Sequence, residues 1–281
     1  MAADFQLFTS LRYDPSLLKV RDSALNQGGW NHANASPFYM LDFHRDRLLR
    51  AATHWGWDTA VEVLTGELGL ERLAGSIMKF LGEDQKSPMR VKVVVSQDGT
   101  MTIEAGKVPG MALSNLYPRR LPRPGESPLS SGDESGRPPT VEPYEVVLDG
   151  AKTPASEYTH FKTTRREIYD RARQSAGINV TDKKEVLIIR VNDGAIMEGS
   201  ITTPYFWRNG RWVTPAVSAK YNPKTGSGGQ DGTTRRWALE KGLAFEETVL
   251  VDSLQDGEEC WLSNGLRGFM YGRLSLDGPR R

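Results

Sequence analysis

The sequence predicts a two-domain chain of α/β (α+β) class, with a small N-terminal α/β domain over residues 1–115 and a larger β-rich C-terminal domain with flanking helices over 141–281. Three observations predict it. Within 116–140 the stretch YPRRLPRPGESPLSSGDESGRPPT is dense in Pro, Ser and Gly and poor in apolar side chains, so it reads as an exposed interdomain linker. Beyond it, apolar runs favouring strands are separated by Asp193-Gly194 and Asn209-Gly210, the dipeptides that best form two-residue hairpin turns. The chain has 281 residues, of which 38% are hydrophobic, enough for two modest cores.

In order along the chain, FQLFTSLRY (5–13) reads as a strand, 14–36 as a loop, and FYML (38–41) as a short strand. Asp42 can cap a helix, HRDRLLRAATHWG, whose Leu48, Leu49, Ala52 and Trp55 fall at helical spacing. Residues 91–106, VKVVVSQDGTMTIEAG, form a hairpin about Asp98-Gly99. After the linker, EVVL (145–148) is a strand, and a loop leads to His160 and a polar helix, KTTRREIYDRARQSA. A meander follows: EVLIIRV, a turn, AIMEGSITTPYFW, a turn, and RWVTP. The glycine-rich loop TGSGGQDGTTRR (225–236) opens a helix over about 234–241, and ECWLSNG (259–265) closes the core as the last strand.

Bulk properties exclude several functions. Net charge is +1, so no global field holds a polyanion, and nucleic acid is not expected as a partner despite the local clusters PRRLPRP and TTRR. The single cysteine, Cys260, cannot form an intramolecular disulfide and lies in an apolar strand as core. No secretory leader pattern and no run of 18 apolar residues is present, so a soluble, cytoplasmic protein without membrane contact is expected. Four histidines without metal-ligand spacing give no metal site.

Glu198 stands out because strands disfavour Glu. Alternation puts Ile196, Glu198, Ser200 and Thr202 on one face and Met197 and Ile201 on the other, so that face either meets water or presents a carboxylate to a cation. The loop at 225–236 sets glycines, two threonine hydroxyls and free N–H groups at a helix N-terminus, which suits a phosphate, although it matches neither a Walker loop nor a dinucleotide fingerprint. Lys162, at the head of a helix in HFKTTRRE, is not singled out by spacing, and His44 and His160 could be ligands or bases.

Taken in order, FTSLRYD, FYMLDFHRDRLLRAA, FKTTRR, MEGSITTPYFW, DGTTRR and LSNGLRG resemble the fold-type IV pyridoxal-phosphate enzymes, the group of branched-chain and D-amino-acid aminotransferases and aminodeoxychorismate lyase. The fungal-type aminodeoxychorismate lyase-like branch is most similar. The resemblance implies pyridoxal 5'-phosphate as cofactor, Lys162 as the Schiff-base lysine, and Glu198 against the pyridine nitrogen, keeping it protonated. Arg165 or Arg166 would supply a cationic neighbourhood for Lys162. The phosphate would be held by Arg47, Thr233, Thr234 and backbone N–H groups near Ile201 and Thr202, with His44 structural. Arg12 and Arg267 would meet the substrate's two carboxylates, Asn264 would also lie at the substrate, and Thr9 or Ser10 would protonate the leaving group. Implied too are a small-molecule substrate, a homodimer, and 4-amino-4-deoxychorismate lyase activity giving 4-aminobenzoate and pyruvate. An aminotransferase on the same scaffold is the alternative, and a binding module using PRRLPRP and TTRR a remote one. The chain departs from the family in the length of 14–36, in Pro204 within a strand, and in lacking the asparagine usual near Thr203 in transaminases.

Overall fold

The computed structural model describes residues 3–23, 25–82, 84–126, 142–179, 181–222 and 224–276. They form two compact units, one of 1–117 with 161–165 and 265–267, the other of 118–160, 166–264 and 268–281. The segments at 161–165 and 265–267 thus pack with the first unit, although they fall in the half of the sequence assigned to the C-terminal domain.

The first unit is a three-stranded antiparallel sheet, β1 (Leu7–Tyr13), β2 (Met89–Val95) and β3 (Met101–Lys107), in the order β1-β2-β3. The helical turn α1 (Trp30–Ala33) and helices α2 (Leu41–His54), α3 (Asp58–Leu64) and α4 (Gly66–Leu81) complete it, with a turn, α5 (Leu113–Leu116), near its end. Leu7, Leu11, Val91, Val93, Leu48, Ala52, Leu73 and Ile77 are buried and make its core. The hairpin at Asp98-Gly99 forms as expected, with Gly99 at φ +81°. Helices α3 and α4 were not anticipated, although Leu70, Leu73 and Ile77 carry the i, i+3, i+7 spacing.

FYML is not a strand. Phe38 makes one bridge to Tyr13, and Met40 turns into the left-handed region at φ 53°, so Met40 rather than Asp42 stands at the N-cap of α2. Buried Asn31 enforces that turn: its Nδ2 donates to Ser36 O and Phe38 O, and its Oδ1 accepts from Met40 N and Tyr117 Oη. Such complete satisfaction is what allows a polar side chain to be buried and a non-glycine residue to hold a positive φ.

Two distant segments occupy the other edge of β1. Phe8 N donates to Lys162 O at 3.1 Å, Thr164 N to Gln6 O at 2.9 Å, and Arg12 N to Gly265 O at 3.0 Å. This corrects the placement of Lys162 at the head of a helix. Backbone groups of 162–164 are engaged by β1 and held extended, and the helix begins later, as α7 (Glu167–Ser175), after a turn, α6 (Glu157–His160).

The second unit holds an eight-stranded sheet of β4 (Tyr144–Thr153), β5 (Lys184–Arg190), β6 (Ile196–Gly199), β7 (Thr203–Arg208), β8 (Arg211–Thr214), β9 (Phe245–Glu246), β10 (Glu259–Asn264) and β11 (Gly268–Leu274). Its order is β6-β5-β4-β11-β10-β7-β8-β9, and α7 and α8 (Thr233–Glu240) complete the unit. Strand β11 was missed, so ECWLSNG is not the last strand. The Asn209-Gly210 turn forms with both residues at positive φ. AIMEGSITTPYFW is two strands, not one, broken at 200–202. From Gly199 to Thr203 an extended chain reaches about 14 Å. The five strand spacings between β6 and β7 would need about 24 Å if the sheet were flat. The sheet must therefore curl until β6 approaches β7.

Glu185, fully buried on β5, holds the break. Its carboxylate accepts from Ser200 N at 3.0 Å, Ser200 Oγ at 2.5 Å, Ile201 N at 3.3 Å and Thr202 Oγ1 at 2.8 Å. Arg173 on α7 lies 4.0 Å away and donates to Ser200 Oγ at 3.1 Å.

The linker expectation holds only in part. Leu121 is buried, Trp212 Nε1 donates to Leu121 O at 3.1 Å and Trp261 Nε1 to Pro122 O at 3.3 Å, so 118–126 covers the second unit's sheet through two indole donors that need acceptors when buried. Residues 127–141 lie outside the described residues. Among those described, no helix is long and apolar enough to cross a membrane.

Glu185→Ala leaves the donors of Ser200, Ile201 and Thr202 without an acceptor, at a cost of about 3 kcal/mol or more. A clearly lowered urea midpoint is expected. A midpoint within error of the parent would show that the break is held by other contacts.

Candidate active site

In the first unit, β1 and α2 bring Thr9, His44 and Arg47 together. Thr9 faces α2, where His44 and Arg47 are one turn apart. Arg47 Nη2 donates to Thr9 Oγ1 at 2.7 Å, and Thr9 Oγ1 lies 2.6 Å from His44 Nδ1. All of Thr9 and His44 is buried. Burial first, then the charges of Arg47 and Lys162, hold the imidazole well below its usual pKa, so it is neutral. With the imidazole neutral, Thr9 Oγ1 and His44 Nδ1 share one hydrogen bond while the same oxygen accepts from Arg47. His44 thereby orients Thr9, and Thr9 orients Arg47.

Lys162 is half-buried, with Nζ 4.7 Å from the centroid of the Phe8 ring. Its charge and that of Arg47 both act on His44, so these two cations share one neutral ring. Arg165 instead pairs with Asp4 and lies over Phe5. Arg166 belongs to the second unit, where it donates to Ser200 O at 3.3 Å.

Two assignments in this unit change. Of the alternatives Thr9 and Ser10, which point to opposite faces of β1, Thr9 is already engaged by Arg47 and His44. Arg12 is 1% exposed, 2.6 Å from the Asp14 carboxylate, and donates to Pro109 O at 2.8 Å. That guanidinium is held inside the fold and is not presented to a substrate. Arg267 is half-buried in the segment that meets β1.

In the second unit, Glu198 is 8% exposed, and all four residues of β6 are buried, so the face carrying it does not meet water. Its Oε1 accepts from Tyr169 Oη at 2.5 Å. Burial first, then the charge of Glu198, raises the Tyr169 phenol well above its usual pKa, so it stays protonated and donates. Gln230 Nε2, from the glycine-rich loop, donates to the same phenol oxygen at 3.4 Å. That loop lies flat on β6: a Cβ added at Gly229 would stand 2.5 Å from Met197 O.

The loop ends at Gly232, the N-cap of α8. Thr233, the first residue of α8, is buried, and its Oγ1 has no hydrogen-bond partner. An orphan hydroxyl at a helix N-terminus, beside the unpaired N–H groups of the first turn, is suited to an anion. Thr234 is committed elsewhere, with Oγ1 2.7 Å from Ser263 Oγ, which is 2.9 Å from Tyr205 Oη. The Ile201 N–H is directed at Glu185 and does not face a phosphate here, and the Thr202 hydroxyl donates to the same carboxylate. Asn264 Nδ2 donates to Ile201 O at 3.4 Å.

His160 packs by its ring near Tyr221 at 5.8 Å. Cys260 is fully buried, and burial pushes its thiol pKa up, which makes it inert core. Among the described residues no group of three or more His, Cys, Asp or Glu could hold a metal. Sequence reasoning missed Tyr169, Gln230 and Glu185, which no spacing signals; only the pairing of β5 with β6 and the packing of α7 bring them to Glu198 and the 200–202 break.

Known proteins share both sequence and fold with this chain. Over 142 residues it is 33% identical to the aminodeoxychorismate lyase of Saccharomyces cerevisiae, a stretch covering 47% of this chain and 37% of that protein. Over 141 residues it is 30% identical to a Schizosaccharomyces pombe protein assigned the same activity, covering 48% of this chain and 56% of that one. The matches thus span only about a third to a half of these relatives' lengths. The fold is shared with the crystal structure of a Mesorhizobium loti protein assigned as an amino-acid aminotransferase, with a TM-score of 0.62 at 22% identity over 96% of this chain and 100% of that one. Residues 29–273 match the model of the amino-transferase class IV family. The chain belongs to that family, the fold-type IV enzymes that use pyridoxal phosphate.

Proposed function

We propose that this enzyme is a 4-amino-4-deoxychorismate lyase, releasing pyruvate and 4-aminobenzoate. The observation that carries the reading over an aminotransferase is the likeness to the two yeast relatives, at 33% and 30% identity. Each unit taken by itself holds residues whose chemistry suits the cofactor. Thr233 offers a buried hydroxyl that has no other partner, Arg47 is aimed through Thr9, and Glu198 is a buried carboxylate.

Bound pyridoxal phosphate supplies an electron sink for negative charge developing beside the substrate nitrogen. Lys162 would hold the cofactor, and its Nζ would take the proton from the substrate's amine-bearing carbon. Glu198 holds a proton on the ring nitrogen. Arg47, Thr233 and the N-terminus of α8 hold the phosphate, the guanidinium by charge-assisted bonds. Of the two β1 hydroxyls Ser10 is the one not engaged by Arg47, and we assign it to protonate the leaving pyruvate. Arg267 and Asn264 remain for the substrate carboxylates once Arg12 is set aside. Aromatisation of the product ring draws the elimination forward. The reading includes a homodimer, as the family resemblance implies.

The purified enzyme, supplied with aminodeoxychorismate and no keto acid, is expected to make 4-aminobenzoate through many turnovers. Acceptor-dependent exchange with a D- or branched-chain amino acid, and no aminobenzoate, would assign it to the aminotransferases instead. Arg47→Ala, which removes a charge-assisted contact of about 1.5–3 kcal/mol, should weaken cofactor binding about tenfold or more in equilibrium dialysis. Unchanged retention would place the phosphate elsewhere. Glu198→Gln should keep the cofactor and lose turnover by about two orders of magnitude or more. Near-normal turnover would remove Glu198 from the chemistry.

A further inference from the structure

Glu198 does not stand alone in the second unit. Its Oε1 accepts from Tyr169 Oη at 2.5 Å, which makes this a short, charge-assisted bond. The phenol is fully buried on α7, and its oxygen lies 3.3 Å from Thr159 O and accepts from Gln230 Nε2 at 3.4 Å. A phenol has one proton, and the closer, charged acceptor takes it. The oxygen then keeps a lone pair for the Gln230 amide. The Arg166 guanidinium lies 5.0 Å from the centroid of the Tyr169 ring, and its charge opposes that of Glu198 on the phenol. The core on that side, Ala172, Val186, Ile188 and Met197, is apolar.

We propose that Tyr169 is a positioning residue for Glu198: its hydroxyl, steadied by Gln230 of the glycine-rich loop, keeps the carboxylate ionised and aimed, and so sets how firmly the cofactor's ring nitrogen holds its proton. This rests on the role given to Glu198 above. A proton shared between a ring nitrogen and a carboxylate stays on the nitrogen only while the carboxylate is the weaker base. A donor on the far side of the carboxylate weakens it as a base; removing that donor lets the proton move towards the oxygen. Gln230 sits in the loop that ends at the orphan hydroxyl of Thr233, so the loop reaches the phosphate end with Thr233 and the nitrogen end through Tyr169.

The test uses the full chain loaded with pyridoxal phosphate carrying 15N at the ring nitrogen, observed by NMR in the parent, Tyr169→Phe and Glu198→Gln. The parent should show the resonance of a protonated ring nitrogen, and Glu198→Gln that of an unprotonated one. Tyr169→Phe should fall between, with kcat reduced about tenfold or more, the loss of one hydrogen bond to a charged group. KM should change far less, and the apoprotein melting temperature by a few degrees. If Tyr169→Phe does not fold, Gln230→Ala should move the resonance in the same direction by less. A parent-like resonance in Tyr169→Phe, or in Gln230→Ala where that is the variant that folds, while Glu198→Gln loses the protonated form, would overturn the role of Tyr169 and leave that of Glu198 intact. A parent resonance that Glu198→Gln does not change would overturn both.

Discussion

The carboxylate of Glu185 governs the second unit. It is fully buried, and it is held there by the backbone and hydroxyl donors of Ser200, Ile201 and Thr202. Removing a carboxylate from water is costly unless several donors replace the water, and here the donors come from the three residues that carry the chain from β6 to β7. With that turn closed, the sheet has to curl, and Glu198, two residues before it, is turned into a buried environment where α7 supplies Tyr169. The loop of 225–232 lies against the same strand because Gly229 has no Cβ to hold it off, and it delivers Thr233 at the start of α8. One satisfied carboxylate therefore fixes where a second, that of Glu198, stands.

The first unit solves a different electrostatic problem. Arg47 and Lys162 both act on His44, and a third positive charge at that place would be repelled. Burial keeps the imidazole neutral, so it hydrogen-bonds Thr9 without adding a third charge. The hydrogen bonds linking Arg47, Thr9 and His44 then hold the guanidinium in one orientation. Segment 161–165 reaches this place because its backbone completes the edge of β1.

Much of this was legible in the sequence, for physical reasons that can be named. Turns at Asp98-Gly99 and Asn209-Gly210 were readable because positive φ restricts the residues that can stand there. Strand β5 was readable from its apolar β-branched run, and Glu198 from the cost of a carboxylate in such a run. The single strand expected over 195–207 failed because periodicity carries no information about a carboxylate donated from β5. The helix expected from Lys162 failed because the backbone of 162–164 is paired with β1, a partner more than a hundred residues away. Arg12 was assigned to substrate on the family resemblance, whereas Asp14, two residues on, holds it inside. Tyr169 and Gln230 could not be read at all, since only tertiary contact joins them to Glu198.

The central claim is that Lys162 carries the cofactor, and borohydride reduction of the holoenzyme followed by peptide mapping tests it most directly. The account predicts that reduction bleaches the visible band and leaves a stable pyridoxyl group on the peptide containing Phe161, Lys162 and Thr163. A pyridoxyl group on any other lysine would contradict it.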